Sequence, residues 1–180
     1  LLAGYIVRLY DIKDEFVERG KSRILESVEK LASKGKVATE LLEVIKSSLL
    51  NTTVDLSEAV HDADLVIEAV PEIMDLKKKV FADLDAAAPK RALLASNTST
   101  RSIPQLASVT NRPEKVLGLH YFNPAVLMRL VEVIRAEKTS DETIQIGLDF
   151  VGKNKKVPVL VRKDTPGFIA NRVNAAPQVL

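Results

Sequence analysis

Asp64-Leu65-Val66-Ile67-Glu68-Ala69-Val70-Pro71-Glu72 is the stretch whose reading decides the fold. From Leu65 to Val70 it is a near-continuous apolar run, the composition of a strand covered on both faces of a parallel sheet. Pro71 ends it. Leu76, Val80, Phe81 and Leu84 then recur at helical spacing, and Ala92-Leu93-Leu94-Ala95 is a second buried strand that runs into Ser96-Asn97-Thr98-Ser99. In such a sheet ligands gather beyond the carboxyl ends of the strands, so residues just after Val70 and Ala95 are where function is expected.

Working toward the amino end, Ile6-Val7-Arg8-Leu9-Tyr10 is a short β-prone run closed by Asp11, and Leu1-Leu2-Ala3-Gly4 resembles the end of a helix. From residue 14 to about residue 34, Phe16, Ile24, Val28 and Leu31 follow helical spacing. A break at Ser33-Lys34-Gly35-Lys36 follows, with Gly35 as a C-terminal cap, and Leu41, Leu42, Ile45 and Leu49 predict a second helix, so the two form a hairpin. Toward the carboxyl end the pattern predicts a helix over 103–107, strands over 116–121, 130–134 and 157–161, and a helix over 141–153. Asp164-Thr165-Pro166-Gly167 is a turn, after which Phe168 opens a helix that leaves the domain. Strands alternating with helices in this way form a doubly wound, mostly parallel α/β sheet.

Composition narrows the functional classes. The 180 residues carry 46% hydrophobic and 28% charged side chains, ordinary for a globular chain, and no apolar run approaches the ~20 residues of a membrane-spanning helix. The 26 basic and 24 acidic residues leave a net charge of +2 with both signs dispersed, so neither a nucleic-acid nor a membrane partner is expected. The lysine clusters 77–79 and 153–156 read as solvated faces. With no cysteine there is no disulfide, thiolate metal site or cysteine nucleophile; no metal is expected, and a reducing, cytoplasmic setting is compatible. The chain has no starting Met and no signal-peptide pattern, which reads as a beginning inside a longer protein.

Several polar residues sit where chemistry belongs. Asp11 ends a strand, where an acid accepts the hydroxyls of an adenine ribose or, equally well on position alone, caps the next helix. The glycine-rich G-x-G-x-x-G loop that would precede such an Asp by ~20 residues is not within these 180 residues. Residues 96–99 place hydroxyls and an amide on the rim of the sheet, although a polar turn before a helix has the same composition. His61, in His61-Asp62-Ala63-Asp64, reads as part of a helix cap. His120, in Gly118-Leu119-His120-Tyr121-Phe122-Asn123-Pro124, ends a strand and is suited to accept a proton near neutral pH. Glu132 in Leu130-Val131-Glu132-Val133-Ile134 is a carboxylate on an apolar strand, which is costly unless paired. If it accepts the Nδ1 proton of His120, it fixes the imidazole tautomer and supports the charge formed on proton abstraction.

Together with Asp164-Thr165-Pro166-Gly167-Phe168-Ile169-Ala170-Asn171-Arg172 and Leu130-Val131-Glu132-Val133, these segments resemble the 3-hydroxyacyl-CoA dehydrogenases over nearly the whole chain. The resemblance implies a Rossmann-like doubly wound sheet with a helical hairpin insertion, plus the first helix of an all-α C-terminal domain. It implies a nucleotide-binding domain over 1–163 and the start of the helical domain over 164–180. It further implies that His120, oriented by Glu132, removes the 3-hydroxyl proton of an (S)-3-hydroxyacyl-CoA, with Ser99 and Asn171 positioning the substrate oxygen. Asp11, Glu72, Lys77, Asn97, Ser99 and Asn123 match positions that line NAD, and Asp11 disfavours NADP by repelling a 2′-phosphate. Ser27 and Lys34 match positions that contact coenzyme A. A homodimer formed through the helical domain is the implied assembly. A non-catalytic Rossmann-like relative or truncated fragment, and a hydroxyacid or polyol dehydrogenase with a lysine base, are the rival readings.

Overall fold

The computed structural model describes residues 1–175. The chain divides into two compact units, Leu1–His61 and Asp62–Leu180, of which 176–180 lie outside the described residues. Any expectation about the end of the C-terminal segment therefore falls outside them too.

In the first unit, β1 (Val7–Tyr10) pairs in parallel with β2 (Leu50–Thr53), with Val7 opposite Leu50. Between them run α1 (Asp14–Ser33) and α2 (Thr39–Val44), the predicted hairpin, and α2 continues into a π-helical turn, Ile45–Leu49. Gly35 caps α1 as expected. With φ at +66° it turns the chain so that its N–H donates to Ala32 O and the Lys36 N–H donates to Leu31 O, which satisfies two otherwise unpaired helix carbonyls. Val28, Leu42, Ile45 and Leu50 form the core of this unit. Two elements were not expected. β2 has only Leu50 buried, so Leu-Asn-Thr-Thr carries no alternation to read, and α3 (Leu56–Val60) is barely longer than a turn. Residues 1–4 form a turn, closed by the Gly4 N–H donating to Leu1 O, where a helix end was expected.

The second unit holds a five-stranded sheet in the order β3 (Leu65–Glu68), β4 (Leu93–Ser96), β5 (Val116–Tyr121), β6 (Leu130–Arg135), β7 (Val157–Val161). Every pairing is parallel except β5 with β6. The helices α4 (Met74–Ala87), α5 (Ile103–Ala107) and α6 (Asp141–Lys153) make the parallel crossovers, as the periodicities predict, and α7 (Ala170–Ala175) follows the turn after β7. This is the Rossmann-like, mostly parallel α/β architecture with a helical hairpin insertion. Leu93, Ala95, Leu117, Leu119, Val131, Val133, Ile144 and Val151 make its core. Two glycines permit close packing. A Cβ on Gly147 of α6 would lie 2.7 Å from Leu117, and one on Gly118 would lie 2.8 Å from Ile134 Cδ1.

One expectation fails in the stretch that announced the fold. β3 is not buried on both faces: Ile67 is 38% exposed, and the buried residue of the strand is its one acid, Glu68. β3 stands at the end of the five-strand order, whereas the fully buried strand is β4.

Candidate active site

Because β3, β4 and β5 are parallel, the loops that follow them leave the same edge of the sheet. The antiparallel return of β6 sets Glu132 directly opposite His120. Side chains of directly opposed residues share a face of the sheet. Here the consequence is a hydrogen bond of 2.7 Å between His120 Nδ1 and Glu132 Oε2, with His120 4% and Glu132 1% exposed. An ionised carboxylate only accepts, so Nδ1 carries the proton and Nε2 of the neutral ring carries the lone pair. Phe122 and Phe168 wall the imidazole, their ring centroids 4.4 and 5.6 Å from its own.

Glu132 has a second attachment that the sequence did not reveal. Its Oε1 accepts the N–H of Ile169 at 2.9 Å and of Ala170 at 2.8 Å. These are among the first N–H groups of α7, which have no partner within the helix. The same carboxylate that orients His120 thus anchors the segment carrying Asn171, the second residue of α7. The preceding turn is tied down as well, since Asp164 Oδ2 accepts the N–H of Ile103 at 2.9 Å. Burial raises the Asp164 pKa, against the opposing hydrogen bonds from Ile103 and Ser102.

Residues 96–99 form a braced loop. Asn97 Oδ1 accepts the Tyr121 N–H at 2.9 Å, which fastens the end of β4 to the end of β5 near His120. Thr98 Oγ1 accepts the N–H groups of Thr100 and Arg101, so the local-turn reading holds for Thr98. Glu72 Oε1 accepts the Ser99 N–H at 2.7 Å and the Thr98 hydroxyl at 2.8 Å, and the Glu72 carbonyl accepts from Arg101. Burial pushes the Glu72 carboxyl up, but these hydrogen bonds and the Lys77 charge outweigh it and leave the pKa below its ordinary value.

Lys77 corrects the reading of residues 77–79 as a solvated face. It is 1% exposed, and its ammonium reaches Glu68 Oε1 at 2.8 Å, Val70 O at 3.0 Å and Glu72 Oε2 at 3.3 Å. Glu68 Oε2 in turn accepts the Ser96 hydroxyl at 2.7 Å. Glu68 was not singled out from sequence, although it gave the same signal as Glu132, an acid within an apolar strand.

Asn123 is exposed in the loop after β5. In the first unit, Asp11 follows β1, and its Oδ1 accepts the neighbouring Ile12 N–H. The N-cap of α1 is Lys13, so Asp11 does not cap that helix. On α1, the Ser27 hydroxyl donates to Arg23 O, and Lys34 is exposed at the helix C-cap. Seven residues apart, the two lie close to one stripe of the helix. His61 is the C-cap of α3, its Nδ1 2.9 Å from Glu58 O, in line with the cap reading.

The model of the NAD-binding domain of 3-hydroxyacyl-CoA dehydrogenases matches residues 1–165. The chain belongs to this family. It is 44% identical over 172 residues to a probable 3-hydroxybutyryl-CoA dehydrogenase of Bacillus subtilis, covering 95% of this chain and 58% of that protein. It is 41% identical to the mitochondrial hydroxyacyl-coenzyme A dehydrogenase of Rattus norvegicus, covering 94% and 55%. Among solved structures, the (S)-3-hydroxybutyryl-CoA dehydrogenase PaaH1 of Ralstonia eutropha superposes with a TM-score of 0.92 at 33% identity, covering 97% of this chain and 60% of that one. The chain of this family member therefore spans a little over half the length of these relatives. Among its described residues no helix is long and apolar enough to cross a membrane.

Proposed function

We propose that the protein oxidises (S)-3-hydroxyacyl-CoA to 3-oxoacyl-CoA with NAD, or runs the reverse reduction, with His120 as general base oriented by Glu132. The observation that carries this is the 2.7 Å contact of His120 Nδ1 with Glu132, which leaves Nε2 as the basic nitrogen of a walled imidazole. When Nε2 takes the hydroxyl proton, the ring becomes cationic, and the buried carboxylate beside it lowers the energy of that charge. In the reverse direction the same nitrogen returns the proton to the oxygen.

The donor set suits a dinucleotide. Asp11 at the end of β1 offers a carboxylate to ribose hydroxyls and repels a 2′-phosphate. Glu72, Asn97, Ser99 and Asn123 follow parallel strands on one sheet edge, and Lys77 completes the set assigned to the cofactor. Bound NAD would supply the hydride acceptor for C3. Ser99 and Asn171 hold the substrate oxygen, where charge grows as the C–H bond breaks, and donors aimed there favour the transition state. Ser27 and Lys34 serve the coenzyme A portion, the lysine by attraction to its phosphates. The nucleotide-binding domain runs over 1–163, and 164–180 opens a helical domain through which a homodimer forms. The protein works in the cytoplasm.

Loss of NADH absorbance on adding acetoacetyl-CoA to the full-length protein tests the proposal. Turnover supports it, and a folded protein without turnover favours a non-catalytic relative.

A further inference from the structure

The helix α5, which follows the loop of Ser99, starts without help from its own N-cap. Ser102 stands at that position, and its side chain caps no N–H of the helix. The acceptor comes from 61 residues further along the chain, where Asp164 Oδ2 takes the Ile103 N–H at 2.9 Å. The Ser102 hydroxyl donates to the same half-buried carboxylate. The first N–H groups of a helix have no partner within it, so Asp164 supplies the cap that the local sequence does not. Its own turn is tight. The Phe168 N–H donates to Thr165 O at 2.9 Å, with Gly167 at φ +81° and Phe168 at φ +50°. A left-handed φ in a residue as large as phenylalanine persists only where the surroundings fix it. Here the Phe168 ring is 2% exposed against His120, and the next two N–H groups go to Glu132.

Two carboxylates thus hold the two ends of one short segment. Glu132 holds its exit, at 169 and 170, beside His120. Asp164 holds its entrance against the start of α5, four residues after Ser99. Asn171 follows directly on the exit. Ser99 and Asn171 are the two residues assigned to the substrate oxygen, and Asp164 joins the loop of the one to the turn that leads to the other. Without it, Ser99 would keep its attachment to Glu72 and the α7 end its attachment to Glu132, but these do not tie the two to each other. We propose that Asp164 is a positioning residue that sets the spacing of Ser99 and Asn171 across the substrate oxygen, without itself touching substrate or cofactor. The proposal rests on the functional reading for its kinetic consequences alone, because the backbone of both residues can be observed without turnover.

The test uses Asp164→Ala and Asp164→Asn in the full-length protein. The amide of the second variant keeps an oxygen that can accept the Ile103 N–H, whereas alanine offers none. In Asp164→Ala, kcat per folded molecule with acetoacetyl-CoA and NADH is expected to fall about 10- to 100-fold, the scale of a small displacement at a reacting group. The KM of acetoacetyl-CoA should stay within about threefold, because donors aimed at the growing charge act on the transition state. Asp164→Asn should restore kcat to within about fivefold of the parent. In the unliganded protein the backbone amide resonances of Ser99 and Asn171 should both move in Asp164→Ala and return toward the parent positions in Asp164→Asn. A lower Tm in Asp164→Ala with kcat per folded molecule unchanged would show a merely structural cap and overturn the proposal. An Asp164→Asn variant as impaired as Asp164→Ala would lay the effect on charge and overturn it as well. Should Asp164→Ala not fold, Asp164→Glu takes its place: it sets the acceptor one methylene further out, so kcat should fall about tenfold or more, and a parent-like kcat refutes the proposal. If the unaltered protein does not turn over acetoacetyl-CoA, the functional reading fails and the amides decide: a joint shift of Ser99 and Asn171 upholds the positioning role, and shifts confined to α5 refute it.

Discussion

Two strands of the sheet bury a glutamate, and the partners of the two acids set what each can do. Glu132 on β6 faces an imidazole whose second nitrogen is left basic, so that pair can gain and lose a proton. Glu68 on β3 faces an ammonium that also donates to Val70 O and lies 3.3 Å from Glu72 Oε2, so that pair is a buried, charged arrangement. A buried ion pair contributes little net stability on average, because desolvation offsets the attraction. What the two acids supply here is placement, of His120 in one case and, in the other, of the end of β4, where Ser96 and Asn97 both donate to Glu68.

The largest expected effect breaks the His120–Glu132 pair. His120→Gln should lower kcat by about 10²- to 10⁴-fold, the usual contribution of a general base, with the Kd of NAD nearly unchanged. Single-turnover and binding measurements check it, and a kcat within tenfold of the parent would remove His120 from the proton transfer.

Next is a third buried carboxylate, which acts as a control because it lies away from the catalytic edge. Asp85 accepts from Arg112 Nε at 2.6 Å and from the Asn111 N–H at 2.9 Å, while Arg112 also donates to carbonyls at the end of α4, among them Asp85 O at 2.7 Å and Ala88 O at 3.1 Å. Asp85→Asn should cost about 3–5 kcal/mol of stability by denaturant unfolding, since it leaves the arginine buried without its counter-charge, and should leave kcat unaltered. Burial raises the Asp85 pKa, but the Asn111 and Arg112 hydrogen bonds overcome it and the native value lies below the ordinary 3.8. A depressed native pKa means stability that is complete above the unfolded value and lost as pH falls through the native one. The gap between parent and variant should therefore be constant from neutrality down to about pH 4 and close below it.

Glu132→Gln sharpens the comparison, because Glu132 has two attachments. The amide keeps one carbonyl oxygen, so it can serve either His120 or the N–H groups of Ile169 and Ala170, but not both. Loss of a charged acceptor should cost about 1.5–3 kcal/mol, together with faster hydrogen exchange at 169 and 170. Gly118→Ala, the smallest of the four, places a methyl 2.8 Å from Ile134 Cδ1 and 2.9 Å from its Cβ on the neighbouring strand. Overpacking of this kind costs about 1–3 kcal/mol by thermal unfolding, with the His120 contact preserved.

The legibility of the sequence follows the same division. Helices with long amphipathic stripes, such as Asp141–Lys153, and strands with repeated apolar residues, such as Val116–Tyr121, were readable to the residue. β2 and α3 were not, because four or five residues with one or two buried side chains carry no period. Glu132 was read as a partner of His120 because a histidine at a strand end invited the pairing. Glu68 gave the same signal without such a partner nearby. Its counter-ion, nine residues on, was hidden in a Lys-Lys-Lys run that looked like surface. The burial of Lys77 and the docking of 169–170 onto Glu132 are tertiary facts, set by how α4 and α7 meet the sheet edge.

The central claim is that Glu132 selects the imidazole tautomer, and ¹⁵N NMR of the His120 ring at neutral pH tests it most directly. The account predicts a neutral ring protonated at Nδ1 with an unprotonated Nε2, becoming a mixture of tautomers in Glu132→Gln. A parent ring that carries its proton on Nε2 would contradict it.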